Sequence, residues 1–314
     1  MKLLIQVPCL NEATTLPATL ADLPRSLPGF DAVEFLVIDD GSIDGTADVA
    51  RAHGAHHVIR LPGRQGLARA FLAGLLACLE RGADVVVNTD ADNQYDARCL
   101  PALLAPILEG RADVCVGARP IAAIPHYSWL KKLLQRWGSR FVRAVSGVAV
   151  DDAPCGFRAF TREAALRVQV FTSFSYTLET LIQAGASGLR VASVPIAVNP
   201  PTRPSRLFRG TFTYIVRSVG TILAAYAIYR PVRLFGLLGL ACLLPGLFLA
   251  VRYAWLMAEG EGKGHVQSVI AAGVLGLAAL LFFALALVGH LLRIQRLMLE
   301  ELCYRARAAR FKPP

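Results

Sequence analysis

At 314 residues and a formal charge of +10, the chain is too long for one small core, and its composition changes partway along. Charged, polar and apolar residues mix up to about residue 205. Beyond it apolar runs dominate, and no acidic residue lies between Glu179 and Glu259, whereas Arg190, Arg203, Arg206, Arg209, Arg217, Arg230, Arg233 and Arg252 all do. Beside apolar spans such a bias reads as attraction to anionic lipid headgroups. No RNA- or DNA-binding motif is present, which argues against a nucleic-acid partner. The seven cysteines are odd in number, scattered and without C-x-x-C spacing, so neither a zinc site nor a disulfide framework is indicated, and a reducing compartment fits.

The N-terminal apolar stretch is too short for a signal peptide and reads as a first strand. Apolar strands are expected over 3–7, 35–38, 58–61, 85–88 and 114–117. Helical patterns fall between them over 14–23, 45–53, 66–81 and 100–109. This alternation implies an α/β fold with a mostly parallel sheet and helices on both faces. Residues 128–145 break the rhythm. Leu130, Leu134, Trp137, Phe141 and Val145 recur at helical spacing, with Lys132, Arg136, Arg140 and Arg143 on the other side. With no acidic residue in the stretch, a helix lying on a membrane or meeting an anionic headgroup is set against an ordinary solvated face.

Residues 210–229 are apolar and aromatic with Arg217 near the middle. Centring that charge in hydrocarbon would cost at least ~2.5 kcal/mol, so the segment reads as juxtamembrane. Two uncharged runs follow, 234–251 and 269–288, each near the roughly 20 residues a helix needs to cross a bilayer. Pro245 and the glycines of the first are tolerated in such helices. The connector from Glu259 to His265 has a slight acidic excess, whereas Arg230 and Arg233 precede the hairpin and Arg293, Arg296, Arg305, Arg307, Arg310 and Lys312 follow it. The positive-inside rule then places both termini in the cytoplasm. The expected organisation is a catalytic domain over 1–207, a juxtamembrane region over 208–232, a transmembrane hairpin over 233–292 and a basic cytoplasmic tail over 293–314. Paired spans also allow self-association into a homo-oligomer.

The chemistry concentrates at strand ends. Asp90-Ala91-Asp92-Asn93-Gln94 directly follows the run Val85-Val86-Val87-Asn88-Thr89. Two carboxylates at alternate positions thus emerge at the carboxyl edge of the sheet, where open α/β folds bind ligands. Two acidic oxygens and a nearby amide oxygen suit a hard divalent cation able to grip a diphosphate. Val7-Pro8-Cys9-Leu10-Asn11-Glu12 ends the first strand. Val37-Ile38-Asp39-Asp40-Gly41-Ser42 ends the second, and Asp44-Gly45-Thr46 opens the next helix. All these acids therefore gather on one rim.

Taken together, V-P-x-x-N-E, V-I-D-D-G-S-x-D-G-T, a glycine-led helix and D-A-D-x-Q resemble the family 2 inverting glycosyltransferases of the GT-A fold. The similarity continues through Gly117-Ala118-Arg119, Cys155-Gly156-Phe157-Arg158, Tyr176-Thr177-Leu178-Glu179 and Val194-Pro195-Ile196. It covers about residues 1–230 and is strongest to the polyprenyl-phosphate sugar synthase branch that includes dolichyl-phosphate mannose synthase. The trailing hairpin is similar to that of its bacterial two-span members.

The resemblance implies that Pro8, Leu10 and Glu12 line a nucleotide pocket and that Asp39 and Asp40 hold base and ribose. It implies that Asp90 and Asp92, with Ala91 between them, meet the donor diphosphate through Mg2+ or Mn2+, with Gln94 a further oxygen ligand. The donor would be a nucleotide sugar and the acceptor a polyprenyl phosphate. Leu10 stands where some relatives carry an aromatic residue. An acceptor phosphate calls for arginines, whose guanidinium matches phosphate oxygens: Arg119, Arg136, Arg140, Arg158, Arg203 and Arg206 are the candidates. Asp92, Arg119 and Arg203 are expected to carry the catalytic step. Residues 199–206, stiffened by prolines, match a loop that in the family closes over the phosphates. Glu179 either positions sugar or acceptor or is a plain helix-face carboxylate.

Other readings are a transferase acting on a different lipid acceptor and a non-enzymatic membrane scaffold with a retired transferase domain. A processive polysaccharide synthase would need Q-x-x-R-W, whereas Gln135-Arg136-Trp137 has other spacing.

Overall fold

In the computed structural model of the protein, the described residues are 1–121, 129–170, 176–200, 220, 223–224, 226–260 and 264–311, without the side chains of 129–136 and 145. They form two compact units, Met1–Arg217 with Glu300–Pro314, and Ser218–Leu299.

The first unit is built on seven strands: β1 (Lys2–Cys9), β2 (Ala32–Asp39), β3 (His57–Arg60), β4 (Val85–Asn88), β5 (Val114–Ala118), β6 (Arg158–Thr161) and β7 (Val191–Pro195). Their order is β3-β2-β1-β4-β6-β5-β7. Every pairing is parallel except those of β6, which runs antiparallel to both β4 and β5. Strands buried on both faces read as near-continuous apolar runs, and Val85, Val86 and Val87 of β4 are buried accordingly. The helices of this unit are α1 (Leu16–Asp22), α2 (Thr46–Ala52), α3 (Leu67–Glu80), α4 (Leu100–Leu108), α5 (Trp129–Ser146), α6 (Arg162–Arg167) and α7 (Tyr176–Ala186). The mostly parallel sheet and its intervening helices follow the expected alternation.

Register explains why the motifs converge. Cys9 pairs with Asp39, so β1 and β2 end together, and β4 ends at the same edge three residues earlier, with Asn88 opposite Gln6. The antiparallel β6 begins at the same edge, Asn88 opposite Arg158, and there Ala118 lies opposite Pro195. The strand order reverses between β1 and β4, which makes this rim a topological switch point.

Helix α5 departs from expectation in one respect. Ser139, Val142 and Ser146 form its buried side, and the helix packs on α7, whose Gly185 leaves room for the Ser146 carbonyl. Trp137 is two positions from Ser139, about 200° around a helix, and is 63% exposed. It therefore shares the outer side with the exposed Arg140 rather than the apolar seam.

Residues 300–311 also belong to the first unit. Tyr304 donates to Glu163 at 3.0 Å, Arg307 donates to the Val168 carbonyl at 2.5 Å, and Arg310 bonds Glu80 at 2.7 Å. Arg162 donates to the Phe311 carbonyl, and Phe311 is buried. The segment expected as a basic tail over 293–314 is thus helical to Arg310, and its part from Tyr304 to Phe311 is bonded to α3 and α6.

The helices Pro231–Ala258 and Val266–Arg310, the latter belonging to the second unit up to Leu299, are each long and apolar enough to cross a membrane. Small residues let them approach closely. A Cβ on Gly239 would meet the Phe283 ring at 2.7 Å, and one on Gly289 would meet Pro231 at 2.6 Å. Arg296 donates to the Tyr229 hydroxyl at 2.8 Å. The expected boundary at 207/208 and most of the juxtamembrane region lie outside the described residues.

Candidate active site

Two of the strand-end motifs interlock. Asn11, at φ 55°, donates its amide to the Ser42 hydroxyl at 2.9 Å, and its side chain accepts the Ile43 amide at 2.9 Å. The Glu12 amide bonds Thr46 at 3.0 Å and the Ala13 amide bonds Asp44 at 3.0 Å. N-E and G-S-x-D-G-T are therefore complementary halves of one double loop. Pro8 and Glu12 are buried in it, and Leu10 keeps a partly exposed edge.

Asp39 accepts the Ser42 amide at 2.7 Å and faces Arg60 at 3.4 Å. Asp40 accepts the Gln65 and Gly66 amides at 2.7 and 2.8 Å, which anchors the approach to α3. Both acids are buried and carry these structural bonds.

Asp90 and Asp92 occupy the same rim beyond β4. An edge of Asp90 reaches solvent, but its carboxyl is largely surrounded by protein. That burial, reinforced by the neighbouring Asp92, pushes its pKa up to about 6, against a hydrogen bond from Tyr95 and the field of Arg119. The Tyr95 hydroxyl also accepts the Gly156 amide at 3.0 Å. Behind it, Asn88 donates to the Gly156 carbonyl at 2.9 Å and to the Tyr176 hydroxyl at 2.8 Å. The Tyr176 ring stacks on Phe71 with centroids 3.9 Å apart. Ala91 is buried, and its carbonyl accepts from Thr19 at 3.0 Å. Gln94 is partly exposed on the same loop.

Among the described residues no three acidic, histidine or cysteine groups converge into a cage. The donor set is a carboxylate pair with space kept beside it, since a Cβ on Gly156 would lie 2.9 Å from Asp90 Oδ1. Oxygen donors of this kind fit a hard divalent cation whose remaining ligands come from phosphates and water.

The arginine candidates separate by environment. Arg158 is fully buried, and its guanidinium donates to the carbonyls of Ala153, Cys155 and Thr177 and to the Thr180 hydroxyl. With its donors spent inside the core it is not an acceptor-phosphate ligand, which corrects that expectation. Arg119 forks onto Asp152 at 2.6 and 3.0 Å. Both side chains are buried, so its two-pronged face is committed there and its influence on the rim is the field it exerts on Asp90. Arg140 is exposed on α5. Arg203, Arg206 and the side chain of Arg136 lie outside the described residues. Glu179 is buried within α7.

The acids of three strand ends thus share one edge of a parallel sheet. The sequence profile described as "Glycosyl transferase family 2" matches residues 5–168. The chain belongs to glycosyl transferase family 2. This family 2 enzyme is 32% identical over 206 residues to the undecaprenyl-phosphate mannosyltransferase of Micrococcus luteus, an overlap of 62% of this chain and 83% of the relative. It is 31% identical to glycosyltransferase AglJ of Haloferax volcanii, across 95% of this chain and 97% of that one. Its fold is shared with glucosyl-3-phosphoglycerate synthase of Mycobacterium tuberculosis, solved with Mn2+, UDP and glucosyl-3-phosphoglycerate. There the TM-score is 0.56 at 19% identity, covering 72% of this chain and 78% of that one.

Tyr95, Asp152, Asn88 and Gly156 complete the site, and the sequence reading assigned none of them a role. Tyr95 carried a signal, since it directly follows Gln94. Asp152 carried little, because nothing local announces that it answers Arg119.

Proposed function

We propose that this family 2 glycosyltransferase moves a single sugar from a nucleotide-sugar donor to a polyprenyl phosphate at the cytoplasmic face of a membrane, with inversion at the anomeric carbon. The observation that carries the reading is the Asp90–Asp92 pair, set beside the interlocked Asn11–Ser42 loops at the switch point of the sheet. The acceptor class is supported by the relative named as an undecaprenyl-phosphate mannosyltransferase. The location is supported by the two apolar helices and their basic flanks.

Glu12, Asp39 and Asp40 would bind the nucleoside, and Asp90, Asp92 and Gln94 would hold Mg2+ or Mn2+. When bound, such a cation neutralises charge developing on the leaving diphosphate. Tyr95 and Gly156 keep the Asp90 carboxylate in place for that task. An acceptor phosphate is already an anion at neutral pH, so it needs placement more than deprotonation. Arg140 and Arg136 on α5, with Arg203 and Arg206 beyond the last strand, would supply that placement, as guanidinium forks do for phosphates. The basic flanks would draw the protein to anionic lipid, and the hairpin would allow self-association.

The test is transfer of labelled sugar from a panel of UDP- and GDP-sugars to undecaprenyl phosphate by the full chain in detergent. Lipid-linked product that disappears in Asp92→Asn, with folding retained, is expected. Absence of transfer to polyprenyl phosphate from every donor would sink the reading.

A further inference from the structure

The segment that leaves β7 is stitched to the loop that follows Asp92. Tyr95 and Val198 form an antiparallel bridge, and the Asp96 amide donates to the Ala197 carbonyl at 3.4 Å. Asn199 makes the tightest connection. Its backbone amide donates to the Gln94 carbonyl at 2.9 Å, and its side-chain Nδ2 donates to the Asn93 carbonyl at 3.0 Å. One residue therefore grips two successive carbonyls, that of Asn93 between the expected metal ligands Asp92 and Gln94 and that of Gln94 itself.

The carbonyl of Asn93 matters because Asn93 adopts φ 53°. That left-handed conformation is uncommon outside glycine, though asparagine tolerates it. It turns the chain sharply, so the directions in which Asp92 and Gln94 leave the loop depend on where this peptide sits. The Asn93 side chain is held from the other side, donating to Asp22 of α1 at 2.6 Å. The Thr19 hydroxyl fixes the Ala91 carbonyl at 3.0 Å. The acidic loop is thus set between α1 and the segment after β7, and among the described residues Asn199 is the one that bonds the Asn93 and Gln94 carbonyls from that second side.

We infer that Asn199 is a positioning residue that sets the D-A-D-x-Q loop for its divalent cation, an inference that rests on the metal reading above. Asn199 stands four residues before Arg203 in the sequence. The residue that bonds the metal loop is thus close in sequence to the arginines proposed for the phosphates.

The experiment is a Mn2+ titration of the full-length protein in detergent, followed by electron paramagnetic resonance of free Mn2+, alone and with UDP or GDP. Wild type, Asn199→Ala, Asn199→Asp and Asp92→Asn are compared, alongside metal-free melting temperatures. Asn199→Asp keeps the volume and the backbone amide but turns an acceptor towards the Asn93 carbonyl. Both Asn199 variants are expected to bind Mn2+ about tenfold more weakly, the scale of one lost hydrogen bond, with metal-free melting near that of wild type. Wild-type affinity in either variant, with binding lost in Asp92→Asn, overturns this inference and leaves the metal reading standing. Unchanged affinity in Asp92→Asn overturns both. A collapse of metal-free melting in both Asn199 variants would make the residue a general support of the fold and likewise overturn the positioning role.

Discussion

Tyr95 and Gly156 meet through a 3.0 Å hydrogen bond in which the glycine amide donates to the phenol oxygen, and the same hydroxyl serves Asp90. The Tyr95 ring stacks on Phe157 with centroids 5.3 Å apart. Tyr95→Phe keeps the stack and deletes both polar contacts. A buried amide left unpaired costs about 1–3 kcal/mol, so the melting temperature should fall by several degrees. Sugar transfer at limiting Mn2+ should fall further than at saturating Mn2+, because Asp90, the proposed metal ligand, has lost its support. Equal losses at both concentrations would show that the hydroxyl matters only for folding.

The environment of Asp90 gives a signed dependence on pH. Burial and Asp92 raise its pKa from the usual 3.8 to about 6. A group raised on folding costs no stability below its unfolded pKa, and the cost grows as pH rises through the folded value. Asp90→Asn should therefore melt higher than wild type at pH 7.5 in the absence of metal, and the difference should vanish by pH 4. Protons compete with the cation for the same carboxylate, so wild-type Mn2+ affinity should rise between pH 5 and pH 7. A flat affinity across that interval would remove Asp90 from the metal site.

Arg158 is a support of the core, and its variants should say so. Removing a fully buried guanidinium leaves the carbonyls of Ala153, Cys155 and Thr177 without their donor. The cost is on the order of 3 kcal/mol or more. Arg158→Lys and Arg158→Met are expected to lower the melting temperature steeply, while whatever folded fraction remains keeps the wild-type KM for the lipid acceptor. A raised acceptor KM with unchanged melting would restore Arg158 to the phosphate site.

The sheet was legible because its strands are buried on both faces, so Val85-Val86-Val87 and Phe35-Leu36-Val37-Ile38 announce themselves as unbroken apolar runs. The acidic rim followed, since parallel strands ending in Asp, Asn and Glu must present them together. Partnerships distant in sequence were not legible. Arg119 and Asp152 stand 33 residues apart, and only the folded chain shows that one answers the other. Arg158 misled for the same reason, because a cation satisfied by backbone carbonyls has no partner visible in the sequence. Trp137 joins the apolar stripe by spacing alone, whereas the buried positions of α5 are Ser139, Val142 and Ser146.

Gly156 and Gly41 offer a paired test of which spaces in the site are reserved for chemistry. Gly156 lies outside the positive-φ region, so alanine strains no backbone there. Its Cβ would instead sit 2.9 and 3.1 Å from the two Asp90 carboxylate oxygens and 3.0 Å from the Tyr176 hydroxyl. Those neighbours are side-chain atoms that can give way, and the one displaced is the carboxylate proposed as a metal ligand. Gly156→Ala should therefore stay folded and lose transfer by about a hundredfold, some 2.7 kcal/mol of transition-state stabilisation. Gly41 has φ 78°, and a Cβ there would lie 2.6 Å from the Gly63 carbonyl carbon and 2.7 Å from the Arg64 nitrogen, both backbone. Gly41→Ala has no compliant neighbour, so it should lose melting temperature and activity together. Melting curves and initial rates on the two proteins decide the matter. If Gly156→Ala unfolds as Gly41→Ala does, the gap beside Asp90 is mere packing; if it melts normally yet fails to transfer, the gap is kept open for what Asp90 holds.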